Sequence, residues 1–332
     1  MRVPFGVTKQ LRSAIWIAGL ALLIPMACGL LMAIPLYTRF APAGANVHSF
    51  ALFFASAVSI TAFPVLARIL KDRNETRTVV GQLSLSAAAL IDIGSWLILA
   101  LVVVETGSGH DMSHFWRVLG WLSVLILAMF TIVRPALGWL MRRFATDGRP
   151  SRSVLAVLLL GTFSCGYATL VLGIHPVFGA FLFGVCLPRD DRLLHVLVEQ
   201  IEPIALLVLV PVFFALSGLQ TTPDAFVGAS FWSLIVIFAV SVAGKWIGGG
   251  LGAWISGQSL ASSMAIGALM NARGLMELIV IKIGLDAGLV APSLFTMLLV
   301  VAILTTMMAG PAMTMLRPQY AKEETGLVRQ QQ

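Results

Sequence analysis

Ser84-Leu-Ser-Ala-Ala-Ala-Leu-Ile-Asp-Ile-Gly-Ser-Trp96 is a run of apolar and small residues broken by a single carboxylate, Asp92. It lies inside an apolar stretch from about Val79 to Val104, long enough to cross a bilayer as a helix. At about 1.5 Å per residue, Asp92 falls roughly 18 Å into that stretch, near the middle of a hydrocarbon layer about 30 Å thick. An ionisable side chain at that depth is costly, and such residues mark ion or proton pathways. The stretch therefore predicts an all-α polytopic membrane protein with a charged site at the midplane.

Composition agrees with that reading. Hydrophobic residues make up 58% of the chain and charged residues 11%, against about 25% charged in soluble domains. The formal net charge of +7 is spread as short basic clusters between apolar runs. These clusters read as topology determinants, and no nucleic-acid partner is expected. Cys28, Cys165 and Cys186 lie within apolar segments without paired spacing, so they read as small buried residues, not as a disulfide framework or metal motif. No nucleotide-binding fingerprint, metal cluster or nucleophile triad is present, and the chain is expected to be neither an enzyme nor a cofactor carrier. Arg2, Lys9 and Arg12 lead into a full-length apolar run, so no cleavable signal peptide is expected.

Apolar runs recur at about 14–38, 48–70, 79–104, 115–141, 153–173, 175–188, 203–220, 230–255, 260–283 and 292–315, which predicts ten crossings in one transmembrane domain, 1–318. Residues 319–332 then form a short cytoplasmic tail. The sixth run is the shortest, and loop charge tests whether it spans. Placing Arg2, Lys9 and Arg12 in the cytoplasm puts Arg68, Lys71, Arg73 and Arg77 there by alternation. Arg142, Arg143, Arg149 and Arg152 follow, then Arg189 and Arg192, and finally Arg317, Lys322 and Arg329. The opposite loops hold little beyond Arg39, Glu105, Asp111, Asp224 and Asp286. This bias predicts an even number of crossings, both termini in the cytoplasm and a location in the cell's inner membrane.

In this topology the first three and last three runs cross in opposite senses. The middle run of each triplet is interrupted, by Ser59-Ile-Thr61-Ala-Phe-Pro64 in one and Asn271-Ala-Arg273-Gly274 in the other. Paired broken segments in inverted halves point to a secondary transporter with its site at the midplane.

Pro64 removes a backbone donor and frees carbonyls near Ile60, beside the Thr61 hydroxyl. Freed carbonyls at membrane depth suit a desolvated cation, the alternative being a kink used for packing alone. Lys245 sits midway along its run among Gly244, Gly248 and Gly252, a small face that admits a neighbouring helix. A lysine so deep is expected to have a carboxylate partner or to be neutral, and as an ion pair it can also simply hold two helices together. Arg273 and Glu277 are four residues apart on one helix face and read first as a structural pair stabilising the break beside Gly274. Lys282 lies near the outer end of its run and can snorkel, and His175 before Pro176 reads as interfacial.

Together, Ser59-Ile-Thr-Ala-Phe-Pro-Val-Leu-Ala-Arg-Ile-Leu70, the Ala-Ala-Ala-Leu-Ile-Asp92 stretch, Gly173-Ile-His-Pro-Val-Phe-Gly-Ala-Phe-Leu182, Gly244-Lys245 and Met270-Asn-Ala-Arg-Gly-Leu-Met-Glu277 resemble the bacterial and plant cation:proton antiporter-2 family, the Kef-like sodium or potassium/proton exchangers. The resemblance runs over nearly the whole chain in order. It implies a sodium/proton antiporter-like fold with inverted repeats: a core domain with two crossing, partly unwound helices and a separate dimerisation domain. It further implies alternating access of one aspartate. By position Asp92 matches the ion- and proton-binding aspartate and Thr61 the polar residue of the first unwound segment, so these two are the expected transient Na+ or K+ ligands. Lys245 matches the lysine facing the site and Arg273 the arginine of the second crossing helix; Glu277, Pro64 and Asn271 are expected in support.

Two departures stand out. The family usually places an Asp or Asn before the ion-binding aspartate, where this chain has Ile91. Lys245 is then expected to pair with Asp92 as the sole available carboxylate, to find backbone acceptors, or to lose its proton. Relatives also carry about two further spans ahead of the first run, which contribute to the dimer surface. Their absence reads as a truncated product or abbreviated gene model, with a homodimer expected where they are present. The expected activity is monovalent cation/proton antiport, with the lipid bilayer, a cation and a proton as partners. The competing readings are a non-transporting scaffold or regulatory relative and an organic-anion symporter on the same plan.

Overall fold

The computed structural model describes residues 5–106, 112–144, 152–172, 176–188 and 199–330. His175 and the loop residues Arg2, Asp111, Arg149, Arg189 and Arg192 lie outside them. Every regular element among the described residues is helical. Seven helices are long and apolar enough to cross a membrane: Gln10–Phe40, Val47–Asp72, Trp116–Phe144, Ser153–Val171, Glu199–Gly218, Ala229–Ile255 and Pro292–Pro318. Val79–Ser95, Pro176–Cys186 and Leu260–Leu269 are shorter apolar helical segments.

The chain divides into two compact units. The first joins Met1–Leu99 to Gln220–Gln332, and the second is Ala100–Leu219. In the first unit α1 (Phe5–Phe40) is followed by α2 (Val47–Ser59) and α3 (Phe63–Asp72), then α4 (Val79–Thr106), which continues into the second unit. After a short 3-10 turn at Pro223–Phe226 come α10 (Ala229–Ile255), α11 (Leu260–Leu269), α12 (Leu275–Asp286) and α13 (Pro292–Gln330). The second unit holds α5 (Met112–Ala128), α6 (Arg134–Phe144), α7 (Arg152–Val171), α8 (Pro176–Cys186) and α9 (Val210–Gly218).

Both interrupted runs are genuine breaks. Ile60 and Ala62 are extended between α2 and α3, with Pro64 in the first turn of α3, where its missing N–H is no loss. In the ninth run α11 stops at Leu269 and α12 restarts at Leu275. The glycine face of α10 receives α1, as its small residues predict. A Cβ on Gly248 would lie 2.5 Å from the Leu20 carbonyl oxygen, and one on Gly252 would lie 2.7 Å from the Ile17 Cα. The apolar core of this unit includes Ile17, Ala21, Leu66, Leu83, Ala88, Ile91, Leu269 and Ala272. The last helix continues beyond its apolar run, through Pro318, to Gln330.

In the second unit two π-turns, Met129–Val133 and Ala205–Leu209, each end two residues before a proline, Pro135 and Pro211. A proline inside a helix lacks the donor for the carbonyl four residues back and crowds it. Widening the preceding turn relieves this: the Arg134 N–H donates to the Met129 carbonyl and the Val210 N–H to the Ala205 carbonyl, each five residues back.

Candidate functional site

The site forms where the breaks of α2/α3 and α11/α12 meet. The Ala62 N–H donates to the Ala272 carbonyl at 2.9 Å, and the Thr61 hydroxyl donates to the Met270 carbonyl at 2.9 Å. Each unwound segment thus satisfies polar groups of the other that no helix serves.

The end of α2 leaves carbonyls without helical partners, and its dipole is negative there. Two buried cations meet it. Arg273 donates from Nη1 to the Ala57 carbonyl at 3.2 Å and from Nη2 to the Val58 carbonyl at 2.8 Å. Lys245, on α10, donates from Nζ to the Ser59 carbonyl and, at 2.6 Å, to the Thr61 hydroxyl. Arg273 also pairs with Glu277 at 2.5 Å, both side chains being fully buried. Glu277 lies in the first turn of α12, where the helix favours a negative charge. Thr306 of α13 fixes the break itself, accepting from the Arg273 N–H at 2.9 Å and donating to the Arg273 carbonyl at 2.7 Å.

Asp92 completes the constellation from α4. It is 2% exposed, and its carboxylate takes a backbone hydrogen bond from Phe63, at the positive start of α3. Its Oδ1 has no hydrogen-bond partner among the described residues. Two carboxyl and two basic side chains therefore share the crossing, and Lys245 lies within electrostatic reach of Asp92, Glu277 and Arg273.

Five of the seven residues singled out from the sequence converge here: Asp92, Thr61, Lys245, Arg273 and Glu277. Pro64 stands beside them as the residue that starts α3. The Asn271 side chain is buried within the same break, with Nδ2 donating back to the Gly267 carbonyl at 3.3 Å and Oδ1 unpartnered. Of the alternatives expected for Lys245, a carboxylate partner, backbone acceptors or loss of its proton, its hydrogen bonds match the second, going to a helix-end carbonyl and a hydroxyl. Asp92 is also not the sole acid near it, since Glu277 acts on it as well. Ile91 explains neither arrangement; it is buried in the apolar core one residue round the helix from Asp92. Sequence reading missed Thr306 and the backbone of Phe63, neither of which carries a residue-type signal. The buried, unpartnered hydroxyls of Ser84, Ser95 and Ser241 were visible only as polar residues within apolar runs.

Comparison with known proteins bears on the whole chain. The profile for "Sodium/hydrogen exchanger, transmembrane" matches residues 7–317. The Na(+)/H(+) antiporter NhaS4 of Synechocystis is 32% identical over 317 residues, covering 95% of this chain and 77% of the relative. Cation/H(+) antiporter 17 of Arabidopsis thaliana is 34% identical over 93% of this chain and 38% of its own length. K(+)/H(+) antiporter 1 of Saccharomyces cerevisiae is 30% identical over 94% of this chain and 37% of its own length. The chain thus spans well under half of the plant and yeast proteins that it matches. With its apolar helices long enough to span a membrane and a match over residues 7–317, the chain is a multi-pass membrane protein that belongs to the transmembrane sodium/hydrogen exchanger family.

Proposed function

We propose that the first unit exchanges a monovalent cation, Na+ or K+, for protons at Asp92. The observation that carries this is the state of the four buried charges. Lys245 and Arg273 are held by helix-end carbonyls, Thr61 and Glu277; Asp92 Oδ1 and Glu277 Oε2 both lack a hydrogen-bond partner among the described residues, but Glu277 already pairs with Arg273 through its other oxygen, which leaves Asp92 as the carboxyl not engaged by either basic side chain. A buried carboxylate oxygen left open is available to a proton or a desolvated cation, and a single site taken by one or the other couples their movements. Thr61 lends a further oxygen beside it, its hydroxyl already oriented by Met270 and Lys245. The relatives named as Na(+)/H(+) and K(+)/H(+) antiporters support the same reading.

Alternation then requires this unit to present Asp92 to either side in turn. Both chain ends are assigned to the cytoplasmic side of the cell membrane from the loop charges, and assembly as a homodimer is part of the same proposal. In everted vesicles Asp92→Asn abolishes cation-dependent proton flux while the protein still elutes as a single folded species in detergent. Wild-type flux in that variant, for both Na+ and K+, would refute the assignment.

A further inference from the structure

The second unit contains a buried sulfur cluster apart from the Asp92 site. Met129 opens the first π-turn, Cys165 lies on α7 and Cys186 ends α8, and the three are 4%, 6% and 0% exposed. The Cys165 thiol points at the Met129 thioether, with the two sulfurs 3.8 Å apart. The Cys186 thiol points at the Met129 carbonyl at 3.5 Å. Both thiols thus meet the same residue, one at its thioether and one at its carbonyl, and all three residues belong to one buried cluster. Around them lie Leu158, Leu182 and Phe183.

We propose that Cys165, Cys186 and Met129 form a binding site for a soft monovalent metal ion, Cu(I) or its surrogate Ag(I). Two sulfurs bound to one metal by bonds of about 2.3 Å at a tetrahedral or trigonal angle stand about 3.8–4.0 Å apart. The Cys165–Met129 separation already matches that edge. Two thiolates and a thioether are soft donors that select Cu(I) over the hard cations Na+ and K+, which need oxygen ligands. Charge balances as well. Two S–H bonds give way to two metal–sulfur bonds, two protons leave, no electron moves, and the single excess negative charge faces Arg134. Arg134, which follows the π-turn opened by Met129, packs its guanidinium over the Phe130 ring, 5.9 Å from its centroid. No three of the His, Cys, Asp and Glu residues among the described residues group as a metal site, and the thioether is what completes this one.

The test is anaerobic titration of the purified full chain in detergent with Cu(I) alone, reading metal per protein after gel filtration. One tightly held ion per chain is expected, with Cys165→Ser and Cys186→Ser each weakening it at least about tenfold and Met129→Leu weakening it less. Cys28→Ser, on α1, leaves it unchanged. Full binding by the Cys165→Ser/Cys186→Ser double variant, or loss with Cys28→Ser, overturns the proposal. Should the double variant fail to fold, X-ray absorption on the wild-type protein decides: a shell of two or three sulfurs near 2.3 Å supports the site, and an oxygen or nitrogen shell refutes it.

Discussion

Arg273 has no exposed surface, and removing it does more than break an ion pair. Arg273→Met strands the Glu277 carboxylate and uncovers the Ala57 and Val58 carbonyls. A buried charge left without its partner costs about 3–5 kcal/mol. Adding Glu277→Leu removes the stranded charge, so the double variant recovers part of the loss and keeps the penalty of the two carbonyls. Thermal unfolding in detergent measures this, and no recovery at all would mean that the pair is not what the arginine serves. Ile91 allows a second prediction at the same scale. Because its side chain belongs to the apolar cluster with Leu66, Leu83 and Leu269, Ile91→Val costs about 1 kcal/mol whereas Ile91→Asp lowers stability sharply. An aspartate there enters that cluster, so Ile91→Asp leaves cation flux per folded molecule no higher than wild type.

At the scale of elements, α10 is fixed on opposite sides by α1 and α11, and glycine sets both distances. A Cβ on Gly248 would meet the Leu20 carbonyl at 2.5 Å, and one on Gly267 would meet the Trp246 carbonyl at 2.4 Å. These neighbours are backbone and cannot swing aside, so Gly248→Ala forces the helices apart at a cost of about 1–3 kcal/mol. Gly19 on α1 meets nothing within 4 Å, and Gly19→Ala is the matched control, with unchanged or slightly raised unfolding temperature. This packing was legible in the four-residue repeat of small residues, and the two breaks were legible in Pro64 and in Asn271–Gly274. The π-turns were not, because Pro135 and Pro211 sit within predominantly apolar runs and hydropathy is blind to hydrogen-bond register. The partners of Lys245 were also hidden. Periodicity says that a residue is buried, but Ser59 and Lys245 are separated by 186 positions and meet only through the packing of α10 against the α2 end.

For the whole molecule, contacts inside the first unit sort helix ends by face. Gln10, near the start of α1, bonds Gln82 at the start of α4, and Arg317 of α13 pairs with Glu75 after α3. At the other ends, the Ala291 N–H donates to the Phe40 carbonyl, and the Thr222 N–H donates to the Thr296 hydroxyl. The end of α1, the start of α13 and the approach to α10 therefore belong to one face, and the starts of α1 and α4 to the opposite one. With 28 residues, about 42 Å, α4 is long enough to reach the opposite side of a bilayer from its start. The proposed topology then puts an even number of crossings between α4 and α10. Among the described residues the second unit has three long apolar helices, Trp116–Phe144, Ser153–Val171 and Glu199–Gly218, so on the proposed ten-crossing topology α8 supplies the fourth crossing although its 11 helical residues reach only about 17 Å. Cysteines introduced singly as Arg143→Cys and Pro188→Cys are thus expected to react with an impermeant maleimide from the same, cytoplasmic side, and Asp224→Cys from the other. Labelling of Pro188→Cys together with Asp224→Cys would mean that α8 turns back, and the contacts that sort the first unit would then need an odd partner elsewhere in residues 100–219.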